Sequence, residues 1–397
     1  MDIRRRARSY ANIPSGEPIN VENYLTIVAL EDGLTAKLSL NACEYCIDGD
    51  GKWRKLSAGT ETKSINTGQT LSFRGELTPN SSNGVGTFTI SKRCNLTGNC
   101  ASMIYGDEAA DKGFTLNGKE GAFAKLFSEC PVVEVSDDFL PSKYLYHSCY
   151  LQMFYNCKQL IKAPKLSATS LGYYCYQAMF RGCTSLVKAP DLPATSLESG
   201  CYRTMFTGCS ALSSMPTLPA NKLKSNCYNG MFTNCTSLKV ATNALSATTL
   251  ADYCYQEMFN GCTNISTAPT LPATTLAQDC YSAMFANCTY LTTAPELPAT
   301  TLAERCYYRM FDSCRNLGRA PRLPATTLVT GCYNRMFYHC YGLNYINAQF
   351  VTTPSTTYTD GWVSGVASTG TFVKNANATW NVTGVDGVPE GWTVINE

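Results

Sequence analysis

The sequence predicts an α/β solenoid: a curved stack of about eight full 26-residue units, with an N-terminal all-β sandwich-like domain and a small C-terminal β cap. Three observations carry this expectation. The phrase Cys-Tyr-x-x-Met-Phe-x-x-Cys occurs eight times, beginning at Cys149, Cys175, Cys201, Cys227, Cys254, Cys280, Cys306 and Cys332. Six of the seven intervals are 26 residues and one, Cys227 to Cys254, is 27. A period of roughly 20–50 residues marks a solenoid, whose units bury their apolar side only against their neighbours. In several units the apolar cluster is followed by Leu-x-x-Ala-Pro-x-Leu-Pro, as at Leu291 to Pro298. Outside the repeats, β-forming segments alternate with turn signals on both flanks.

The unit from Thr301 to Leu323 shows how the parts read. Thr301-Leu-Ala-Glu304 has the form of a capping box, a hydroxyl on a helix N-terminus with a carboxylate reaching back, and Thr275-Leu-Ala-Gln278 repeats it. On a helix, Cys306, Tyr307, Met310 and Phe311 fall within one arc of roughly 140°, a single apolar face. Gly182, Gly208, Asn234, Gly261 and Asn287 precede the second cysteine and tolerate the left-handed conformation of a helix C-cap. Two prolines then remove ladder donors, so any strand is short. Strands stack about 4.8 Å apart and packed helices roughly 8–10 Å apart, so joining them predicts an arc whose concave strand face binds.

The remaining chain divides as follows. Residues 1–20 form a basic arm carrying Arg4, Arg5, Arg6 and Arg8, either a solvated tail or a docking peptide for an acidic partner. Residues 21–105 read as a small antiparallel sandwich, with Asp48-Gly-Asp-Gly as a hairpin turn. Residues 106–148 are a linker and a degenerate capping repeat, since Ala122 to Cys130 has the unit's shape without its first Cys and Tyr. The repeats occupy 149–343, and 344–397 form the cap, with Trp362, Trp380 and Trp392 over the last unit's apolar end.

The chain has 397 residues and a formal charge of +2, so no global field points to nucleic acid or to a membrane surface. It has no apolar run long enough to span a bilayer, and no apolar stretch follows the basic start as a secretory leader requires. Of its 21 cysteines, 16 are repeat positions. Within a unit the pair is too far apart along a helix to bridge. Buried reduced thiols are the favoured reading, with cross-repeat disulfides as the alternative. Cys43, Cys46, Cys94 and Cys100 are a candidate zinc set, four thiolates being a normal structural number, against the plainer reading of buried thiols.

No nucleophile elbow, phosphate loop, zinc-protease helix or dinucleotide fingerprint is present, and the two histidines, His147 and His339, sit at repeat positions filled differently elsewhere. The expectation is a protein that is not an enzyme and uses no cofactor. The repeated tyrosines, Tyr150 to Tyr333, read either as an aromatic platform for sugars or as a packing ladder, and the ladder is favoured. Specificity belongs where units differ. One candidate ligand-facing row flanks the strand: Lys162, Lys165, Lys188, Asp191, Glu296, Arg319 and Arg322, with Ser213, Ser214, Thr217, Thr267, Thr270 and Thr293 between its ends.

The unit Leu-Pro-Ala-Thr-Thr-Leu-x-x-x-Cys-Tyr-x-x-Met-Phe-x-x-Cys-Thr-x-Leu-x-x-Ala-Pro resembles the BspA-type (Treponema pallidum-type) leucine-rich repeats, and Phe259-Asn-Gly-Cys262-Thr-Asn-Ile265 fits that family's core. It departs in length and in a second proline. The resemblance implies a surface adhesin of gut or oral bacteria. The whole layout also looks like repeat proteins carried by phages of gut Bacteroidales. With no leader in view, the expected function is a bacteriophage virion surface protein, a fibre or decoration subunit. Its N-terminal part would contact other virion proteins and its repeats host surface glycan or protein. Nucleic acid and membrane insertion are not expected, and homo-oligomer formation stays open. A bacterial cell-surface adhesin and an intracellular scaffold are the alternatives.

Overall fold

The computed structural model describes residues 18–81, 83–110, 116, 118–239 and 245–397. Strands and turns dominate these residues, no sheet closes into a barrel, and the two α-helices, α1 (Ser102–Tyr105) and α2 (Thr356–Thr359), have four residues each.

The N-terminal part is built on seven strands: β1 (Leu25–Ala29), β2 (Ala36–Leu38), β3 (Cys43–Ile47), β4 (Arg54–Leu56), β5 (Thr70–Arg74), β6 (Phe88–Ile90) and β7 (Cys94–Thr97). Alternating burial, as in β2 with Ala36 and Leu38 inward and Lys37 outward, commits one face to the core. With β8 (Val132–Val135) added, the order is β4-β3-β5-β1-β7-β8, beside a second two-stranded sheet β2-β6. The last strand, β8, comes from the segment expected to be a linker and pairs parallel to β7. Antiparallel pairing is therefore not complete. The outer edge of β8 in turn meets the first unit: Ile161 N donates to Val133 O at 2.9 Å, and Glu134 bridges Lys162. The sheet thus runs directly into the strand side of the repeats.

The largest correction lies within the repeats. The Cys-Tyr-x-x-Met-Phe segments are not α-helices but runs of consecutive turns. Every fourth residue is left-handed, as at Arg305 (φ 52°), Arg309 (φ 53°) and Ser313 (φ 62°), or Gly200, Thr204 and Gly208. That residue swings the chain off the helical path before an i→i−4 bond can form. Backbone donors then alternate. Leu151, Met153, Tyr155 and Cys157 donate three residues back, to Ser148, Tyr150, Gln152 and Phe154. Tyr150, Gln152, Phe154 and Asn156 donate sideways, to Cys175, Gln177, Met179 and Arg181 of the next unit, at 2.7–2.9 Å. The same alternation closes the last full unit on Thr356–Ser364, where Tyr333, Arg335, Phe337 and His339 donate to Tyr358, Asp360, Trp362 and Ser364. The left-handed residues expected at Gly182, Gly208, Asn234, Gly261 and Asn287 are present, as members of this four-residue series rather than as helix caps. Thr275 and Thr301, read as caps, instead bridge each other in parallel.

Lateral bonding sets the spacing. Successive phenylalanines of the column Phe154 to Phe337 stack with ring centroids 5.6–5.9 Å apart, and the tyrosine column Tyr150 to Tyr333 at 5.7–6.0 Å. Packed helices would need roughly 8–10 Å. The mismatch that predicted curvature is therefore absent from the turn side.

Both ends are covered by variants of the unit. Phe123 stacks on Tyr150 at 5.9 Å and Phe127 on Phe154 at 5.8 Å, and Phe88 of β6 stacks on Phe127 at 5.4 Å. At the other end Trp362 packs 6.2 Å from Tyr333 and 6.1 Å from Phe337, with its indole N–H donating to Gly387 O. Strands β9 (Tyr345–Ala348), β10 (Thr371–Lys374) and β11 (Thr393–Asn396) form a parallel sheet in the order β11-β10-β9, and Arg319 of the seventh unit bridges to Tyr345. One apolar cluster is continuous from Leu25 to Trp392.

Candidate functional site

The turn side offers no open chemistry. All 21 cysteines are free and buried. The second cysteine of each unit donates its thiol to the phenylalanine carbonyl of the unit before, as Cys183 to Phe154 O and Cys209 to Phe180 O, both at 3.1 Å. Burial pushes the thiols of Cys209 and Cys262 up to about 12, far from the thiolate form that reacts. The tyrosines are buried too, Tyr202 and Tyr228 at 1% exposure, so they form a packing column and present no platform to sugars. His147 accepts the Tyr173 N–H at 3.0 Å, and His339 lies against Tyr341, each within the turns.

The zinc set is not brought together. Cys43 and Cys46 lie on β3 and Cys94 on β7, with β5 and β1 between them, a separation of about 14 Å at the usual strand spacing. Cys46 donates to Asp50 at 3.1 Å. Among the described residues no group of three or more His, Cys, Asp or Glu could hold a metal ion. Asp50 is instead held by Arg54 at 2.6 Å across the β3–β4 hairpin turn. Arg4, Arg5, Arg6 and Arg8 lie outside the described residues.

The strand side is different. Parallel bridges join one residue per unit in register, Lys188 to Ser214 to Lys239, Thr267 to Thr293, and Arg319 to Tyr345. These positions and those three residues later, such as Lys165, Asp191, Glu296 and Arg322, face solvent. The candidate row divides between two cavities near opposite ends of the repeats. The first, of about 320 Å³, is lined by Lys162, Lys165, Lys188 and Asp191 together with Asp137, Pro164 and Pro190. Lys162 reaches Asp137 at 3.6 Å, an exposed pair of small energetic weight. The second, of about 420 Å³, is lined by Glu296, Arg319 and Arg322 with Thr292, Thr293, Pro321, Tyr345 and Asn347. The Arg319 guanidinium lies 3.5 Å over the Tyr345 ring.

Sequence reasoning missed Tyr345, Asn347, Asp137 and Lys239. Tyr345 could have been found, since it follows Arg319 by the same 26 residues that separate the units. Lys239 puts a charge in the middle of the row, among the serines and threonines that lie between its ends.

Two of the arrangement's features bear on chemistry. Residues common to all units are buried and build the stack, while those that vary line the cavities. Neither cavity pairs a nucleophile with a base. No helix in the described residues is long and apolar enough to cross a membrane.

A comparison with curated proteins finds no match. The family model described as the BspA type leucine rich repeat region matches in six copies, over residues 147–292 and 255–358. Such leucine-rich repeat proteins are typically non-enzymatic, surface or adhesion-type proteins. With more than half of its length matched, and with buried repeat residues stacked unit on unit, the chain belongs to the BspA-type leucine-rich repeat family.

Proposed function

We propose that this protein is a non-enzymatic virion surface subunit of a bacteriophage, a fibre or decoration protein. In this reading the N-terminal part anchors it among other virion proteins, and the solenoid of eight units holds its strand face toward host surface glycan or protein. The observation that carries the binding role is the sorting of residues: invariant positions are buried, and variable, charged ones meet in two cavities on one face. The repeats and the β domain share one sheet continuity through β8, which supports a stiff arm for display. Capture of full-length protein on bacterial envelope fractions tests the binding role. Reversing charge at both cavities (Lys162→Glu, Lys188→Glu, Arg319→Glu, Arg322→Glu) is expected to reduce capture at least tenfold, and unchanged capture refutes it. Antibody labelling of purified particles tests the virion assignment. Label on bacterial cells and none on particles favours the second reading, a cell-surface adhesin, to which the family match also points.

A further inference from the structure

We propose that the cavity at the C-terminal end of the strand face takes the carboxylate or sulfate group of an anionic polysaccharide. This rests on the reading of that face as a binding surface and names its ligand class. The argument begins with the arginines. On the turn side, three arginines of these units are paired with carboxylates, Arg305 with Asp279 at 3.0 Å, Arg309 with Asp312 at 2.8 Å and Arg335 with Asp360 at 3.6 Å, while Arg315 lies over the Tyr341 ring instead. Arg319 and Arg322 in the cavity form no ion pair within 4 Å among the described residues, although Glu296 lines the same space.

Arg319 is also held. Its guanidinium carbon lies 3.5 Å over the Tyr345 ring, a cation–π contact that restrains the side chain. A planar guanidinium fork is matched to a carboxylate or sulfate, to which it can donate two parallel bonds. Arg322, three residues on, supplies a second cation on the same wall. Thr293 offers a hydroxyl, a neutral donor and acceptor of the kind sugar hydroxyls use, while the Asn347 amide is engaged by Gln349 at 2.8 Å and Glu397 at 3.5 Å. Ala294, Ala320 and Pro321 complete the lining. The cavity's volume, about 420 Å³, accommodates a sugar residue or two. Glu296 on the same wall repels the anion and so tempers its affinity.

The test uses the full-length chain and three immobilised probes: hyaluronate, which carries only carboxylate, dextran sulfate, which carries only sulfate, and uncharged dextran. The chain is expected to bind one or both charged probes, to bind dextran at least tenfold more weakly, and to lose affinity as salt rises. Arg319→Gln and Arg322→Gln are each expected to weaken binding at least tenfold. Arg319→Lys, which keeps the charge and loses the fork, should fall between. Glu296→Gln should strengthen binding several-fold. Equal binding to dextran, unchanged binding in both glutamine variants, weakening by Glu296→Gln, or no binding to either charged probe overturns the proposal. All three side chains are exposed, so unchanged unfolding curves establish that the variants fold. If envelope capture survives Arg319→Gln with Arg322→Gln but is lost on charge reversal across both cavities, this inference fails and the binding reading stands.

Discussion

Replacing Tyr228 with phenylalanine is expected to stabilise the protein, against the usual result for a buried tyrosine. The Tyr228 ring is 1% exposed and lies between Tyr202 and Tyr255 at centroid separations of 5.9 and 5.8 Å. Tyr228→Phe keeps all of that stacking. What it removes is a hydroxyl that is buried and has no hydrogen-bond partner, as do Tyr202 and Tyr281. Leaving a polar group desolvated and unpaired costs about 1–3 kcal/mol, so each substitution should gain about 1 kcal/mol. Tyr228 and Tyr281 are two ring steps apart, and their gains should add to within about 0.5 kcal/mol. The assay is urea unfolding under reducing conditions, followed by tryptophan fluorescence, with a raised midpoint at unchanged slope. Tyr24→Phe is the control. Its hydroxyl donates to Asp107 at 2.8 Å, and its loss should cost about 1 kcal/mol. If Tyr228→Phe instead destabilises by as much as the control, the hydroxyl has a partner, such as an ordered water, and the reasoning fails.

Three further outcomes are expected. Burial pushes thiols such as Cys209, Cys262 and Cys43 up to about 12, above their unfolded value near 8.5. Each contributes stability that is fully present below the unfolded value and is lost as pH rises through the folded one. The unfolding midpoint should therefore hold steady to about pH 8 and fall steeply above it, by up to about 1.4 kcal/mol per pH unit per thiol. A midpoint flat to pH 10 would contradict thiol burial. Thr204 is β-branched at φ 51°, while Gly230 occupies the same place one unit on, so Thr204→Gly should gain about 1 kcal/mol, and a measured loss would show that its methyl packing outweighs the strain. Phe206→Ala leaves a void between Phe180 and Phe232 and should cost about 3–5 kcal/mol, with limited proteolysis opening the chain within that unit rather than at its ends.

The repeat, its buried thiols and the stacked aromatics were legible because identical apolar residues returning at a fixed interval have nowhere to go but against one another. The helix was misread for a physical reason. Cys306, Tyr307, Met310 and Phe311 recur at four-residue spacing, which suits one face of a helix and equally suits a chain that turns every four residues. The distinguishing mark was present. Gly200 and Gly208, or Asn226, Gly230 and Asn234, stand four or eight apart, where a left-handed series needs residues free of steric cost and a helix would be weakened by them. Lys162 and Arg319 lie on the strand side, where parallel bridges pair them with Glu134 and Tyr345. Their division between two cavities was not legible, since it depends on which neighbours the register brings alongside, Asp137 in one and Tyr345 in the other.

The alternation of backbone donors has an evolutionary corollary. Because every second amide of a turn run is committed to the neighbouring unit, deleting a few residues there would shift all downstream amides out of phase with their acceptors. The single 27-residue interval obeys this rule: Tyr228, Gly230, Phe232 and Asn234 still meet Cys254, Gln256, Met258 and Asn260. Such a chain can change its length by gene duplication or loss only in whole modules, each adding one ring step of about 6 Å. Its reach is thereby adjustable in discrete increments, with the two chemically distinct ends left as they were.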